Sequence, residues 1–418
     1  MLLEFSCSNH RSIKDRVTFS LVASRDTALE SNIAEVDGVR VLRSAVVYGA
    51  NGSGKSSFIT AISFVKALVV NSLNYQPGEG VRQDAHKSTG INEPTFYDMQ
   101  FVVDGIRYAY GFTLKQTLID EEYLYFFPSG RQAMIFERSS TDFRIGSKFK
   151  KSSFSVCRDV LRPNRLLLSC AANFASVDEV NKVFRFFTDD LVVYNNQDFW
   201  MDYTLRRIKD DAEMRSSAVS LLRGLGLGIE DIRVSIDKQS IDISQLPPIL
   251  SDDFKQALSR GFDSVSAKLV YRQFETDLIQ EESTGVKKLV SMVCPLLDIM
   301  GKGKTLVCDE LEANLHESIV YELVRAFSDS ELNESAQLLF TTHETGLLDF
   351  DLFRRDQIWF TEMRMEDRST DLYSLAEVKN VRRDESFKRG YISGRYGAVP
   401  MLNSNFADAL MDSRREQS

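Results

Sequence analysis

Gly49–Ser57 reads GANGSGKSS, and the fold turns on this stretch. The nine residues fit G-x-x-x-x-G-K-[ST], with Gly49, Gly54, Lys55 and Ser56 in the defining positions. Glycines at this spacing let successive backbone N–H groups face one concavity, which suits phosphate oxygens. The pattern carries that meaning only between a strand and a helix. Both are predicted here: Val41–Tyr48 is apolar toward its end, and Phe58, Ile62, Val65 and Val69 share one helical stripe. The start of that helix turns its positive dipole end toward the same concavity. On this reading Gly49, Ala50, Asn51, Gly52, Ser53 and Gly54, with Lys55, Ser56 and Ser57, hold a nucleoside triphosphate. Lys55 would reach the β- and γ-phosphates, and the Ser56 hydroxyl would bind Mg²⁺.

Three later segments gain meaning from that loop. TLVCDE, Thr305–Glu310, is a buried-type strand that ends in two adjacent carboxylates. Asp309 is placed to hold a metal, and Glu310 to polarise an attacking water as general base. Alone, such a pair is more often a turn or helix-capping pair. LLFTTHE, Leu338–Glu344, is a second such strand, and His343 at its end could meet a γ-phosphate or orient the water. A strand–helix–strand unit puts both strand ends on one edge of a parallel sheet. EESTGVKKL, Glu281–Leu289, begins a helix at Ser283, Thr284 and Gly285, where a cap and a dipole can face an anion. The bland alternative is an ordinary N-cap.

The rest of the chain reads as scaffold. Leu2–Cys7 and Val17–Val22 alternate as strands about a polar turn containing Arg11, and residues 71–93 look like a mobile surface loop. Phe96–Val103 and Ile106–Leu114 flank Asp104-Gly105, a two-residue hairpin signal, and open an antiparallel meander. From Val160 to about Ser266 the pattern is mostly helical, with Leu166–Phe174, Val177–Phe187 and Thr204–Leu225 clearest. Ile232–Ile236 and Ile241–Ile243 could form a short hairpin before Pro247-Pro248, and Pro295 should kink or divide the helix after Glu282. The expected organisation is an ATPase lobe over 1–158, a mainly helical insert over 159–275 and a second ATPase lobe over 276–418.

Composition excludes several classes. With 43% hydrophobic and 27% charged residues, the chain can build an ordinary globular core. Five scattered cysteines show neither disulfide-framework nor zinc spacing. A formal charge of −9 gives no general attraction to polyanions, so any nucleic-acid contact needs a local patch. The apolar runs fall short of a membrane span and the start lacks a leader pattern, so a cytoplasmic protein without a membrane partner is expected.

Taken in order, GANGSGKSS, ESTGVKKL, TLVCDELEANLH and LLFTTHE resemble the ABC/SMC-like P-loop ATPases, with Ser283, Thr284 and Gly285 standing for their signature and Glu312–His316 for their D-loop. DELEANLH, RRDQIWF at Arg354–Phe360 and GRYGAVP at Gly394–Pro400 look more narrowly like the prokaryotic AAA-fifteen family ATPases. STG departs from the SGG of transporters, and His316 replaces the usual D-loop aspartate. The resemblance implies an α/β P-loop NTPase fold of ABC-ATPase type: a mixed central sheet, an antiparallel β subdomain and an inserted helical lobe. It implies ATP and Mg²⁺ as ligands and a homodimer in which the signature of one copy covers the triphosphate held by the other. It also implies a sensor or regulatory subunit of a defence system, with a separate effector, a nuclease among the candidates, and a nucleic acid or phage component as trigger. About 75 residues follow His343, fewer than the ~100 of a small domain, which places the effector on another chain. A DNA-repair or chromosome-associated SMC-like ATPase is the alternative, although heptads for a long coiled coil are missing. Gln100 is the candidate Q-loop glutamine, and Arg11 either approaches the nucleotide or is a solvated turn residue.

Overall fold

The computed structural model describes residues 1–194, 197–239, 262–382 and 385–400. The chain forms two compact units: one from Met1–Val193, Gly303–Glu312 and the described residues from Tyr321 onward, the other from Tyr194–Lys302 and Ala313–Val320.

The first unit holds two large sheets. One has six strands in the order Leu191–Tyr194, Thr305–Cys308, Gln337–Thr341, Ser44–Gly49, Ile358–Met363 and Thr370–Ser374. Gln337–Thr341 and Ile358–Met363 flank Ser44–Gly49 in parallel, Thr305–Cys308 runs parallel to Gln337–Thr341, and Thr370–Ser374 closes antiparallel. Ser44–Gly49, Thr305–Cys308 and Gln337–Thr341 are buried along their whole length, which is why they read as apolar runs without alternation. Parallel register brings the C-terminal ends of these three strands to one edge, and every motif of the proposed chemistry in this unit leaves from there.

The second sheet has seven strands, all antiparallel: Asp142–Ile145, Ala133–Ser139, Leu118–Phe126, Ile106–Lys115, Thr95–Val103, Leu2–Ser8 and Val17–Ser20. Asp104 and Gly105 turn the hairpin at φ 49° and 72°, the left-handed pair that two-residue hairpins favour. The helix Lys55–Asn71 buries Phe58, Ile62, Val65 and Val69 in one core shared by both sheets. Phe19 joins it with ring centroids 5.2 Å from Phe58 and 4.8 Å from Trp359. The extended helix Lys55–Asn74 is, among the described residues, long and apolar enough to cross a membrane, but its apolar stripe is core.

RRDQIWF and GRYGAVP are structural at these positions. The buried Arg354 guanidinium donates to both Asp356 oxygens at 2.9 Å and to the Asp26 carbonyl at 2.9 Å, and Arg355 donates to the Asp26 carboxylate at 2.7 Å. The motif thereby staples the segment after Val22 to the start of strand Ile358–Met363. Within GRYGAVP, Tyr396 tilts against Phe360 at 6.0 Å, and the Ala398 carbonyl accepts from the Tyr391 hydroxyl at 3.2 Å.

Several sequence expectations are corrected. Val41–Tyr48 is two strands: Val39–Leu42 pairs with Ile33–Val36, and Ser44–Gly49 enters the central sheet. Residues 71–93 are anchored rather than a bare surface loop. Val81 and His86 are buried, Asn9 Nδ2 donates to the carbonyls of Gly90 and Glu93 at 3.1 Å, and the His86 N–H donates to Asn9 Oδ1 at 2.9 Å. Hydrophobic periodicity cannot register an anchor made of backbone polar groups and one asparagine.

In the second unit Thr204–Leu225 divides into helices Gln197–Asp210 and Ala212–Gly224. Asp211 caps the second, its carboxylate accepting from the N–H groups of Glu213 and Met214. Strand Ile229–Gln239 pairs with the distant Phe262–Tyr271, which pairs in turn with Glu275–Asp277. Ile241–Ile243 and Pro247-Pro248 lie outside the described residues. Pro295 does not divide helix Thr284–Lys302. Proline leaves the carbonyl four residues back without its helical donor. Here that carbonyl, Ser291 O, accepts from Thr204 Oγ1 at 3.0 Å.

Candidate nucleotide-binding site

The loop after strand Ser44–Gly49 has the backbone its glycines permit. Gly54 sits at φ 114°, and a Cβ there would fall 2.1 Å from Thr370 Oγ1. At Gly49 a Cβ would fall 2.3 Å from Thr361 Oγ1. The two neighbouring strands therefore press on the loop with threonines and brace it. Ser53 Oγ lies 2.6 Å from Thr361 Oγ1, and Thr370 Oγ1 donates to the Ser53 carbonyl at 2.8 Å. Thr370 Oγ1 is also 2.8 Å from Ser12 Oγ, which lies 2.9 Å from Ser57 Oγ. A hydroxyl relay thus joins the loop, its helix and the turn after the first strand.

Lys55 Nζ donates to the carbonyls of Gly49 at 2.8 Å and Ala50 at 3.2 Å. An ammonium carries three donors, and these bonds use two, so one remains for a phosphate oxygen. Burial lowers the Lys55 pKa, while the charges of Asp309, Glu310 and Glu312 oppose that shift. Ser56 is exposed at the helix start.

The acidic pair and the histidine are locked to each other's strands. Thr341 Oγ1 donates to Asp309 Oδ1 at 2.5 Å and accepts from the Glu310 N–H at 2.8 Å. Glu310 stands at φ 49°, a left-handed conformation that costs a non-glycine residue roughly 1–2 kcal/mol and is retained where surrounding contacts impose it. His343 Nε2 lies 4.0 Å from Glu310 Oε1, with both side chains well exposed at 40% and 53%. The His343 N–H donates to Glu312 Oε1 at 2.6 Å.

An open cavity of about 850 Å³ lies at this edge, within the size range of small-molecule sites; Gly49, Ala50, Ser53 and Asp309 are not among the described residues that line it. Asn51, Gly52, Gly54, Lys55, Ser56, Ser57, Glu310 and His343 line it, and all belong to the first unit. Arg11 lines it too, its backbone N–H donating to the Asp84 carbonyl at 2.6 Å and its Nε lying 3.5 Å from Asp84 Oδ2. Burial works to raise the Asp84 pKa, but the Arg82 hydrogen bond and the charges of Arg82 and Arg11 outweigh it, and the net shift is downward. The sequence reading missed two walls: Arg82–Ser88, and Met363 with Asp367 and Arg368 at the tip of the last hairpin. Arg11, Lys55, Arg82, Lys87 and Arg368 line the cavity against the carboxylates of Asp84, Glu310 and Asp367, a basic excess in a chain of charge −9. The only available signal was the basic residues themselves, scattered over several hundred positions. Gln100 donates to Glu4 at 3.1 Å and is not among the described residues that line the cavity.

Among the described residues no group of three or more His, Cys, Asp or Glu gathers as a metal cage. Magnesium needs none: it takes hard oxygen ligands, commonly one or two from protein with phosphate and water completing the shell. The Ser56 hydroxyl and the Asp309 carboxylate fit that donor set.

The signature segment lies in the second unit. Ser283 Oγ accepts from the Val286 N–H at 3.3 Å, and Ser283 O accepts from Lys287 N at 3.0 Å, so Ser283 caps helix Thr284–Lys302. Ser283 and Thr284 are exposed. A Cβ on Gly285 would come within 2.6 Å of the Asn314 carbonyl, and Lys288 Nζ donates to the Ala313 carbonyl at 2.9 Å. The helix start and the segment proposed as D-loop are therefore packed together. His316 takes the capping position of helix Glu317–Ser328, its Nδ1 accepting from the Ser318 N–H at 3.2 Å.

Residues 44–153 and 197–349 match the AAA_21 family, described as "AAA domain, putative AbiEii toxin, Type IV TA system". No curated protein matches the chain. Among solved structures it is similar to an SMC head bound to the C-terminal winged-helix domain of ScpA, at 13% identity and TM-score 0.45, covering 89% of this chain and 97% of that one. It is also similar to the SMC head domain from Thermotoga maritima, at 12% identity and TM-score 0.40, covering 89% and 98%. The AAA_21 match takes in more than half of the chain, including the phosphate loop, the acidic pair and the histidine, and the chain belongs to that family of P-loop ATPase domains.

Proposed function

We propose that the chain hydrolyses ATP and works as a nucleotide-driven dimeric switch, acting as the sensor or regulatory subunit of a cytoplasmic defence system that controls a separate effector. One observation carries the reading: a single sheet edge delivers the phosphate loop, Glu310 and His343 to one cavity, with Asp309 at the end of the same strand as Glu310. Backbone N–H groups of Gly49–Ser57 and the Lys55 ammonium bind the phosphates of ATP. Ser56 and Asp309 hold the magnesium ion, which supplies neutralisation of phosphate charge. Glu310 takes a proton from the attacking water, and His343, across the carboxylate, orients that water or meets the γ-phosphate.

The exposed cap of Ser283, Thr284 and Gly285 supports the dimer. A capped helix end presents N–H groups and a positive dipole to an anion, and the nucleotide held by a second copy supplies one. Covering it would couple phosphate charge to association. The family description, which names a putative toxin of a TA system, is compatible with a defence role. Lys55→Ala abolishes ATP binding in calorimetry; unchanged affinity refutes the phosphate cradle. Glu310→Gln accumulates an ATP-bound dimer in light scattering; a variant that stays monomeric with ATP refutes the sandwich. Hydrolysis stimulated by DNA would favour a chromosome-associated role instead.

A further inference from the structure

We propose that Glu312 is a positioning residue for the switch histidine, holding the His343 main chain so that the imidazole faces the Glu310 carboxylate. The inference rests on the ATPase reading and assigns a role to a side chain that reading does not use.

His343 follows the end of strand Gln337–Thr341, and its side chain is 40% exposed, so packing does little to hold it. What fixes its backbone is a side chain 31 residues upstream: Glu312 Oε1 accepts the His343 N–H at 2.6 Å. A backbone donor on a carboxylate is a charge-assisted bond, stronger and more directional than its neutral counterpart. The next residues secure themselves locally, Glu344 N donating to Thr342 Oγ1 at 2.9 Å and Glu344 Oε1 accepting from Gly346 N at 2.9 Å. Of these contacts, the Glu312 bond alone ties the histidine to the segment that carries Asp309 and Glu310.

Glu312 is half-exposed; its Oε2 is screened from solvent, and no donor reaches that atom among the described residues. Glu310, two positions before Glu312, faces the imidazole at 4.0 Å.

The test uses the full chain with Glu312→Ala and Glu312→Gln, each alone and with His343→Ala. Misplacing a reacting group by about an ångström can cost ~100-fold, so Glu312→Ala should lower kcat by roughly 10- to 100-fold. KM for ATP should stay within about twofold, because the phosphate cradle is intact. Glu312→Gln keeps an oxygen that accepts the same N–H and should retain most of the rate. With His343→Ala there is no imidazole left to place, and adding Glu312→Ala should change the residual rate by less than about twofold. Independently of turnover, amide hydrogen exchange at His343 should quicken in Glu312→Ala and not in Glu312→Gln. Equal losses with and without the imidazole, or unchanged exchange in Glu312→Ala, overturn the proposal. Wild-type protein that does not turn over ATP overturns the ATPase reading itself, and the positioning role falls with it whatever the exchange shows.

Discussion

Thr204→Val should destabilise the protein through a single carbonyl. Pro295 lies inside helix Thr284–Lys302 and cannot donate to Ser291 O, which instead accepts from Thr204 Oγ1 at 3.0 Å. Thr204 and Ser291 are 0% exposed, so water cannot replace the lost donor. Valine keeps the shape of threonine and opens no cavity, which isolates the hydrogen bond. An orphaned buried acceptor costs about 1–3 kcal/mol, and we expect about 2. In thermal unfolding that is a fall in midpoint of roughly 2 °C, at about 1 °C per kcal/mol for a chain of 418 residues. The cycle closes with Pro295→Ala, which restores a helical N–H opposite Ser291 O. In that background Thr204→Val should cost less than about 0.5 kcal/mol. ATP affinity should not change in either background, because the phosphate loop lies in the other unit. An equal loss with and without Pro295, or no loss in the wild type, would refute the idea that the hydroxyl substitutes for the missing N–H.

Gly54→Ala should reduce ATP affinity at least tenfold in calorimetry, since φ is 114° and the new Cβ would fall 2.1 Å from Thr370 Oγ1; wild-type affinity would show that the loop can relax. Asp211→Ala removes a cap that accepts two N–H groups and should cost about 1 kcal/mol in chemical denaturation, with Asp211→Asn recovering most of it. Burial, with the Arg11 and Arg82 charges, lowers the His10 pKa from 6.5 to about 4 against the pull of Asp84. The unfolded chain therefore binds the proton first, and stability is lost as pH falls from about 6.5 to about 4, by a total on the order of 3 kcal/mol. His10→Gln should flatten that stretch of the stability–pH curve, and an unchanged slope would reassign it to other groups.

Hydrophobic periodicity made the antiparallel hairpins and the helix after the phosphate loop legible. Long-range pairing was not legible: Ile229–Gln239 finds its partner at Phe262–Tyr271, and nothing local to either strand names the other. Residues 71–93 looked like a loop because their order comes from Asn9 and from backbone donors, not from an apolar stripe. The helix is not divided at Pro295 for a related reason. Propensity counts the missing N–H but cannot see a threonine on another helix arriving to replace it.

From the sequence alone came the chemistry. GANGSGKSS was legible as a phosphate loop, and the carboxylates after Thr305–Cys308 and the histidine after Gln337–Thr341 gained a proposed role from their order after it, because each is a short run whose neighbours in the chain set its backbone. Tertiary structure decided the rest of the cavity: the threonine clamps on Gly49 and Gly54, the cationic walls from Arg11, Arg82, Lys87 and Arg368, and the Glu312 bond that fastens His343. Those features join residues tens to hundreds of positions apart, and such contacts exist only once parallel register has brought the strand ends to one edge.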